Sequence, residues 1–308
     1  MKRFHLLSVP CRQSHFGRAI CAGTVLMIAT STQAQNLFVA NQGALQGTTV
    51  TEITPGGVQS TFASGLDSPN GLAFNSAGDL FVANQQGNTI TEITPGGIQS
   101  TFASGLYTPN GLAFNSAGDL FEADINSGNI YEFTPGGVRS TFASGLMYPL
   151  GLAFNSTGEL FVSDVGSGNI YEFTPGGVQS TFASGLDQPF ALAFNSAGVL
   201  FEADSGSGII YEFTPGGVRT AFTSALHNPQ GLAFNSTGDL FESDWGTGKI
   251  NKFTPGGAKS TFASGLNGPE GLAFQGITLP VPEPSALGLL AVGAASLLAR
   301  RCYSIARG

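Results

Sequence analysis

Side chains able to do chemistry are sparse in this 308-residue sequence, and most of them recur at a fixed spacing. Six residues each follow a proline, forty positions apart: Asn70, Asn110, Leu150, Phe190, Gln230 and Glu270. Amide oxygens with one carboxylate suit a hard divalent cation, calcium above all. The oxygen-bearing members of this ring, Asn70, Asn110, Gln230 and Glu270, could therefore meet such a cation, and Leu150 and Phe190 interrupt the set. Tyr107, Tyr148, Phe190 and Trp245 could stack on sugar rings, and Gln230 adds a hydrogen-bonding group; these five are the candidate ligand-facing residues. No catalytic residue is assigned. His227 is the only histidine beyond residue 34, and no nucleophile elbow accompanies it. Cys11, Cys21 and Cys302 lie near the ends, so the middle offers no thiolate chemistry.

The remaining carboxylates read as structural. Asp124, Asp164, Asp204 and Asp244, with Asn41 and Asn84, recur at one place and suit a turn-stabilising hydrogen bond. Glu52, Glu92, Glu132, Glu172 and Glu212 recur in another run, and Glu122, Glu202 and Glu242 in a third. Paired carboxylates cleave glycosides. Carboxylates distributed around a repeat fit a structural role better.

The elements that must position these residues follow from a 40-residue period. Gly-Leu-Ala-Phe recurs at 71, 111, 151, 231 and 271, with Ala191-Leu192-Ala193-Phe194 in the remaining copy. Leu-Phe and Thr-Pro-Gly-Gly each occur six times. Helical arrays also have such periods, but no stretch between breakers reaches the ten residues a helix needs. Residues 111–146 read instead as four short strands separated by Ser-Ala-Gly, Asn-Ser-Gly and Pro-Gly-Gly turns. Four-stranded units of this length are blades of a propeller. The first copy starts at Leu37, on a second strand, and the last ends at Phe274, after a first strand. Those two ends should complete one blade. The expected fold is all-β: a six-bladed β-propeller of four-stranded blades, closed by strands from both chain ends, with an open β-solenoid as the alternative.

Two segments of the unit vary between copies. One precedes the first strand, from Asp67-Ser68-Pro69-Asn70 through Asn267-Gly268-Pro269-Glu270. The other joins strands two and three, at 42–49, 85–89, 125–129, 165–169, 205–209 and 245–249. In a propeller both lie on one face, and diversified side chains there make either a recognition surface or a drifting one. The constant Thr-Pro-Gly-Gly turns lie on the other face.

The run Pro-x-Gly-Leu-Ala-Phe-Asn-Ser-x-Gly-x-Leu-Phe-x-x-Asp, followed by Asn-Ile-Tyr-Glu-Phe-Thr-Pro-Gly-Gly, resembles NHL and gluconolactonase/regucalcin-type propeller repeats over residues 37–274. The resemblance specifies fold, not activity. For the gluconolactonase type it implies glutamate, asparagine and aspartate ligands to a divalent metal. Glu270, Asn70 and Asn110 match by type and place, while no aspartate stands in the ring.

The two ends read as addresses. Residues 1–34 have the basic start, the apolar run Ala19–Ala29 and the small residues before Ala34 of a signal peptide. Eleven apolar residues are too few for a span of about 20. At the other end Pro282, Glu283 and Pro284 precede an apolar run, Ala286–Ala299, and then Arg300 and Arg301. This order resembles the PEP-CTERM sorting signal of Gram-negative bacteria. The resemblance implies processing by exosortase, transient membrane anchoring and an exopolysaccharide context. A permanent anchor is the alternative. The domains are then 1–34 signal peptide, 35–276 propeller, 277–285 linker with the motif, and 286–308 hydrophobic sorting helix with basic tail.

Between the ends, nineteen carboxylates face five cations, which disfavours nucleic acid as a partner. The expected partners are signal peptidase and exosortase, with a glycan or an extracellular protein as ligand and a monomer as the assembly. No cofactor is required, though calcium or another divalent cation fits Glu270, Asn70 and Asn110. The sequence thus points to an exported, non-enzymatic binding or scaffold protein of the exopolysaccharide matrix. A metal-dependent lactonase on the same fold is the alternative, and a purely structural protein is a third.

Overall fold

A computed structural model describes residues 35–43 and 48–276. The expected signal peptide, linker and sorting helix, with Pro282, Glu283, Pro284, Arg300 and Arg301, lie outside the described residues.

Six four-stranded antiparallel sheets make six blades. The innermost strands are Pro69–Phe74, Pro109–Phe114, Pro149–Phe154, Pro189–Phe194, Pro229–Phe234 and Pro269–Phe274. The second strands are Leu37–Asn41, Leu80–Asn84, Leu120–Asp124, Leu160–Asp164, Leu200–Asp204 and Leu240–Asp244. The third are Thr49–Ile53, Thr89–Ile93, Asn129–Phe133, Asn169–Phe173, Ile209–Phe213 and Lys249–Phe253. The outer ones are Gln59–Ala63, Gln99–Ser104, Arg139–Ala143, Gln179–Ala183, Arg219–Thr223 and Lys259–Ser264. Blade one is composite. Its innermost strand is Pro269–Phe274, paired with Leu37–Asn41 in the register Leu37↔Phe274. Blades two to six are continuous in sequence.

Burial falls from the axis outward. Every second strand is buried along its whole length, while every outer strand begins with exposed residues. A second strand packs on a neighbouring blade through both faces, so Leu-Phe-x-Ala runs need not alternate with polar residues. Phenylalanine forms each seam. Phe81 meets Phe102 of its own blade and Phe114 of the next edge-on, at 4.9 and 5.1 Å. The closing seam repeats this with Phe241, Phe262 and Phe274. Edge-to-face pairs of this kind add about 0.5–1.5 kcal/mol each beyond their area.

Around the axis the innermost strands approach backbone to backbone. A Cβ on Gly71 would fall 2.0 Å from the carbonyl oxygen of Asn110, and one on Gly271 would fall 2.2 Å from that of Asn70. This explains why the position is glycine in five copies. The sixth copy has Ala191, whose side chain packs into the seam between blades five and six.

Strand ends differ from the sequence reading by one or two residues. The innermost strands begin at the proline, and Val138 lies outside the outer strand. The reason is the hairpin itself: the Thr134 amide donates to Val138 O, and the Gly137 and Val138 amides donate back to Thr134.

Candidate functional site

Both variable segments lie at one end of the blades. Pro109 pairs with Asp124 and Asp124 with Asn129, so the entry to each innermost strand adjoins the loop between strands two and three. The Thr-Pro-Gly-Gly hairpins and Phe274 lie at the opposite end.

A register irregularity follows the proline in each innermost strand, for example between Pro69 and Leu72. Such a bulge re-aims one side chain. Here the residue after the proline lines the channel mouth. Asn70, Asn110, Leu150, Phe190, Gln230 and Glu270 form its ring, with the glycines, Ala191 and the leucines behind them. The cavity is about 90 Å³, which holds a few waters or an ion but not a sugar ring with its substituents.

Glu270 is buried in this ring, and burial alone pushes its carboxyl up to about 8. Near neutrality it is a neutral acid, and a cation would have to displace its proton. Gln230 Nε2 donates to Asn228 Oδ1 at 2.7 Å, and Ser205 hydrogen-bonds the same oxygen. The opposite oxygen, Gln230 Oε1, is buried without a partner. Asn70 and Asn110 stand on the two blades following that of Glu270. The ring thus offers one carboxylate and three amides, where calcium takes six to eight oxygens. Among the described residues no three His, Cys, Asp or Glu side chains cluster to hold a metal.

The face around the mouth is held by recurrent bonds. Asp124 Oδ2 accepts the Tyr107 amide at 2.6 Å, and Oδ1 accepts that of Ser127 at 3.1 Å. Asp164, Asp204 and Asp244 do the same for Met147 and Ser167, Asp187 and Ser207, and His227 and Thr247. These are the turn-stabilising bonds expected from sequence. In blades one and two asparagine replaces the aspartate: Asn84 Oδ1 accepts the Asp67 amide at 3.5 Å, Asn41 Oδ1 is buried without a partner, and both donate through Nδ2 to threonines of the third strand.

A second device was not visible in the sequence. Ser68, Thr108, Tyr148, Gln188 and Asn228, each just before the proline, have φ of 54–69°, with Gly268 at 56° in the sixth place. A non-glycine residue held there costs of order 1–3 kcal/mol. The conformation turns each carbonyl toward the neighbouring loop, where it accepts an amide: Ser68 O from Gln85, Thr108 O from Ile125, Tyr148 O from Val165.

On this sixfold scaffold the apolar side chains are distributed unevenly. Tyr107, Met147 and Tyr148 are 60%, 57% and 53% exposed, at the entries to blades three and four. Phe190, half-buried, lines the mouth on blade five. These residues occupy three consecutive blades. Sequence reasoning missed Met147, whose only signal was its place in a variable segment. Trp245 is half-buried on the far side. A Cβ on Gly268 would lie 2.8 Å from its indole nitrogen, so the ring rests against the entry to blade one. Gln230 and Phe190 sit in the mouth rather than on the outer face.

Comparison with known proteins agrees with both parts of the chain. Residues 280–301 match the PEP-CTERM protein-sorting motif. The motif marks an exported protein, transiently anchored in the membrane and processed by exosortase. A chain of a nidogen/laminin complex superposes with TM-score 0.71 at 20% identity, covering 78% of this chain and 98% of that one. A virginiamycin B lyase from Staphylococcus aureus gives 0.57 at 17% identity, over 67% and 77%. A putative gluconolactonase gives 0.60 at 17% identity, over 67% and 81%. At such identities the likeness shows the propeller fold. Among curated proteins, none matches this sequence.

Proposed function

We propose that this exported propeller is a non-enzymatic recognition module that binds a neutral glycan through the sector carrying Tyr107, Met147, Tyr148 and Phe190. One observation carries the reading: among the described residues the two exposed aromatics, Tyr107 and Tyr148, stand on consecutive blades of a face whose backbone is otherwise sixfold, with half-buried Phe190 on the next blade. Aromatic faces stack on the apolar faces of sugar rings and lose little side-chain entropy in doing so. The charge balance selects the kind of glycan. Nineteen carboxylates against five cations repel a polyanionic polymer and tolerate a neutral one. The PEP-CTERM tail, whose resemblance implies an exopolysaccharide context, supports a ligand of this class.

The lactone-hydrolase alternative has no comparable support. Leu150 and Phe190 stand among the would-be ligands, and the one carboxylate carries a proton up to about pH 8. Screening the full chain against immobilised neutral and acidic polysaccharides tests the proposal. Retention on a neutral polymer is the expected result. Retention only on acidic polymers, or capture of a protein partner with no glycan bound, overturns it.

A further inference from the structure

Three of the six seams between blades hold a carboxyl group where the others hold valine. The third residue of each second strand is, in order, Val39, Val82, Glu122, Val162, Glu202 and Glu242. It faces the preceding blade. Leu120, two residues before Glu122, packs with Phe81, Ala83 and Ile90 of blade two. Leu200 packs with Phe161 and Ile170 of blade four, and Leu240 with Phe201, Ala203 and Ile210 of blade five. Alternate residues of a strand share a face, so each glutamate follows its leucine into the seam. All three glutamates are 0% exposed. Both carboxyl oxygens of Glu122 and of Glu202, and one of Glu242, have no hydrogen-bond partner. The other Glu242 oxygen accepts from Asn251 Nδ2 at 2.8 Å.

The facing blades offer these carboxyls no counterion. Opposite Glu122 stand Phe81 and Ala83, and opposite Glu242 stand Phe201 and Ala203. Opposite Glu202 stand Phe161 and Ser163, whose hydroxyl donates to Phe190 O at 2.5 Å. The titratable groups on those surfaces are the half-buried Glu92, Glu172 and Glu212, cross-strand from the three phenylalanines. Within their own blades the glutamates are followed on the same face by Asp124, Asp204 and Asp244, and paired across the strand with Tyr131, Tyr211 and Asn251.

A second pattern runs with the first. The outer strands begin with Gln59, Gln99, Arg139, Gln179, Arg219 and Lys259. Every blade with valine in the seam has glutamine there, and every blade with glutamate has a cation. Holding the rim together does not require the charge. Gln99 Nε2 donates to Ser64 O of the preceding blade at 3.1 Å, and Arg139 Nη1 likewise reaches the preceding blade, donating to Gly105 O at 3.1 Å, one residue beyond the equivalent of Ser64. In blades three and five the cation instead sits over the tyrosine beside the glutamate, and in blade six Lys259 Nζ lies 5.9 Å from the Phe253 ring. Arg139 lies 4.9 Å from the Tyr131 ring and Arg219 5.0 Å from that of Tyr211.

We propose that Glu122 with Arg139, Glu202 with Arg219 and Glu242 with Lys259 are pH-operated latches on the seams between blades two and three, four and five, and five and six. With the acid neutral, the seam is dry and closed. Once ionised, the carboxylate draws its rim cation inward or admits water, and that seam loosens. The seams on either side of blade one carry Val39 and Val82, so the joined chain ends stay closed.

The electrostatics support this. Burial raises Glu122 and Glu202 well above the ordinary carboxylate range, Asp124 and Asp204 add repulsion, and Arg139 and Arg219 oppose it. Burial likewise raises Glu242 to about 8, against the Asn251 hydrogen bond. A folded state that keeps a proton its unfolded chain has lost is stabilised in full below about 4.5, and that contribution is lost as pH climbs to the folded value, about 8 for Glu242.

The test uses the full chain in non-ionic detergent, between pH 5 and 9. Its partner is the variant with Glu122, Glu202 and Glu242 replaced by Val and Arg139, Arg219 and Lys259 by Gln, which copies the valine seams. The slope of stability against pH, from urea midpoints, should be steeper in the native chain by about three protons. Hydrogen exchange in the native chain, corrected for intrinsic rates, should accelerate between pH 7 and 9 in Leu120–Asp124, Leu200–Asp204 and Leu240–Asp244, and not in the other three second strands. Should the variant not fold, that exchange pattern decides alone. Equal slopes, or equal acceleration in all six strands, overturns the proposal.

Discussion

The two ends of the blades solve the same problem differently. At the hairpin end, Thr-Pro-Gly-Gly closes on its own backbone in all six copies, with Thr O to Gly amide distances of 2.8 Å throughout. At the other end a carboxylate or amide side chain and a left-handed carbonyl hold two loops together. Those bonds use the main chain of the loops and leave their side chains uncommitted. Tyr107, Met147, Asp187 and His227 occupy one structural position because Asp124, Asp164, Asp204 and Asp244 bind only their amides. A scaffold built this way changes its surface without changing its shape.

The sharpest way to break the comparison is at the aspartate. Asp124→Ala leaves the amides of Tyr107 and Ser127 without their buried acceptor. A loss of about 3 kcal/mol is expected, read from urea denaturation. Asp124→Asn should cost less, since Asn84 serves at the equivalent place.

The channel gives the next effect. Glu270 is raised from 4.5 to about 8, so its neutral form stabilises the ring below 4.5 and that contribution disappears as pH rises to about 8. Glu270→Gln should therefore be more stable than the native chain at pH 9, by at most about 5 kcal/mol, and nearly equal to it at pH 4. Calcium would act oppositely, by taking the place of the proton. A midpoint raised by calcium in the native chain but not in Glu270→Gln would revive a metal site formed by Glu270, Asn70 and Asn110.

The hairpin end should respond least. Thr134→Ala removes one exposed acceptor for the Val138 amide and should cost no more than about 1 kcal/mol by the same denaturation assay.

Much of this geometry was legible in the sequence because repetition made it so. Six copies of Leu-Phe and Thr-Pro-Gly-Gly fixed the strand count, and the offset of Leu37 and Phe274 gave the closure. The residue after each proline could be placed in the channel for the same reason. The left-handed residue before each proline could not be read. Ser68, Thr108 and Tyr148 have no shared chemistry that favours positive φ, and only a contact with the neighbouring loop imposes it. The buried glutamates were read as structural because strand two recurs around the ring. Their significance lies in recurring in only three blades, and in which face of the strand meets the next blade. Trp245 was grouped with the exposed aromatics on residue type, whereas its neighbour Gly268 lets the indole settle against the backbone.

The recognition reading stands or falls on the aromatic sector. The decisive measurement is the affinity of the full chain and of Tyr107→Ala/Tyr148→Ala for a neutral polysaccharide retained in the screen, with urea midpoints taken alongside. Both tyrosines are more than half exposed, so the midpoint should move by less than about 0.5 kcal/mol while affinity falls at least about tenfold. Unchanged affinity in a folded variant would contradict the account and return the face to neutral variation.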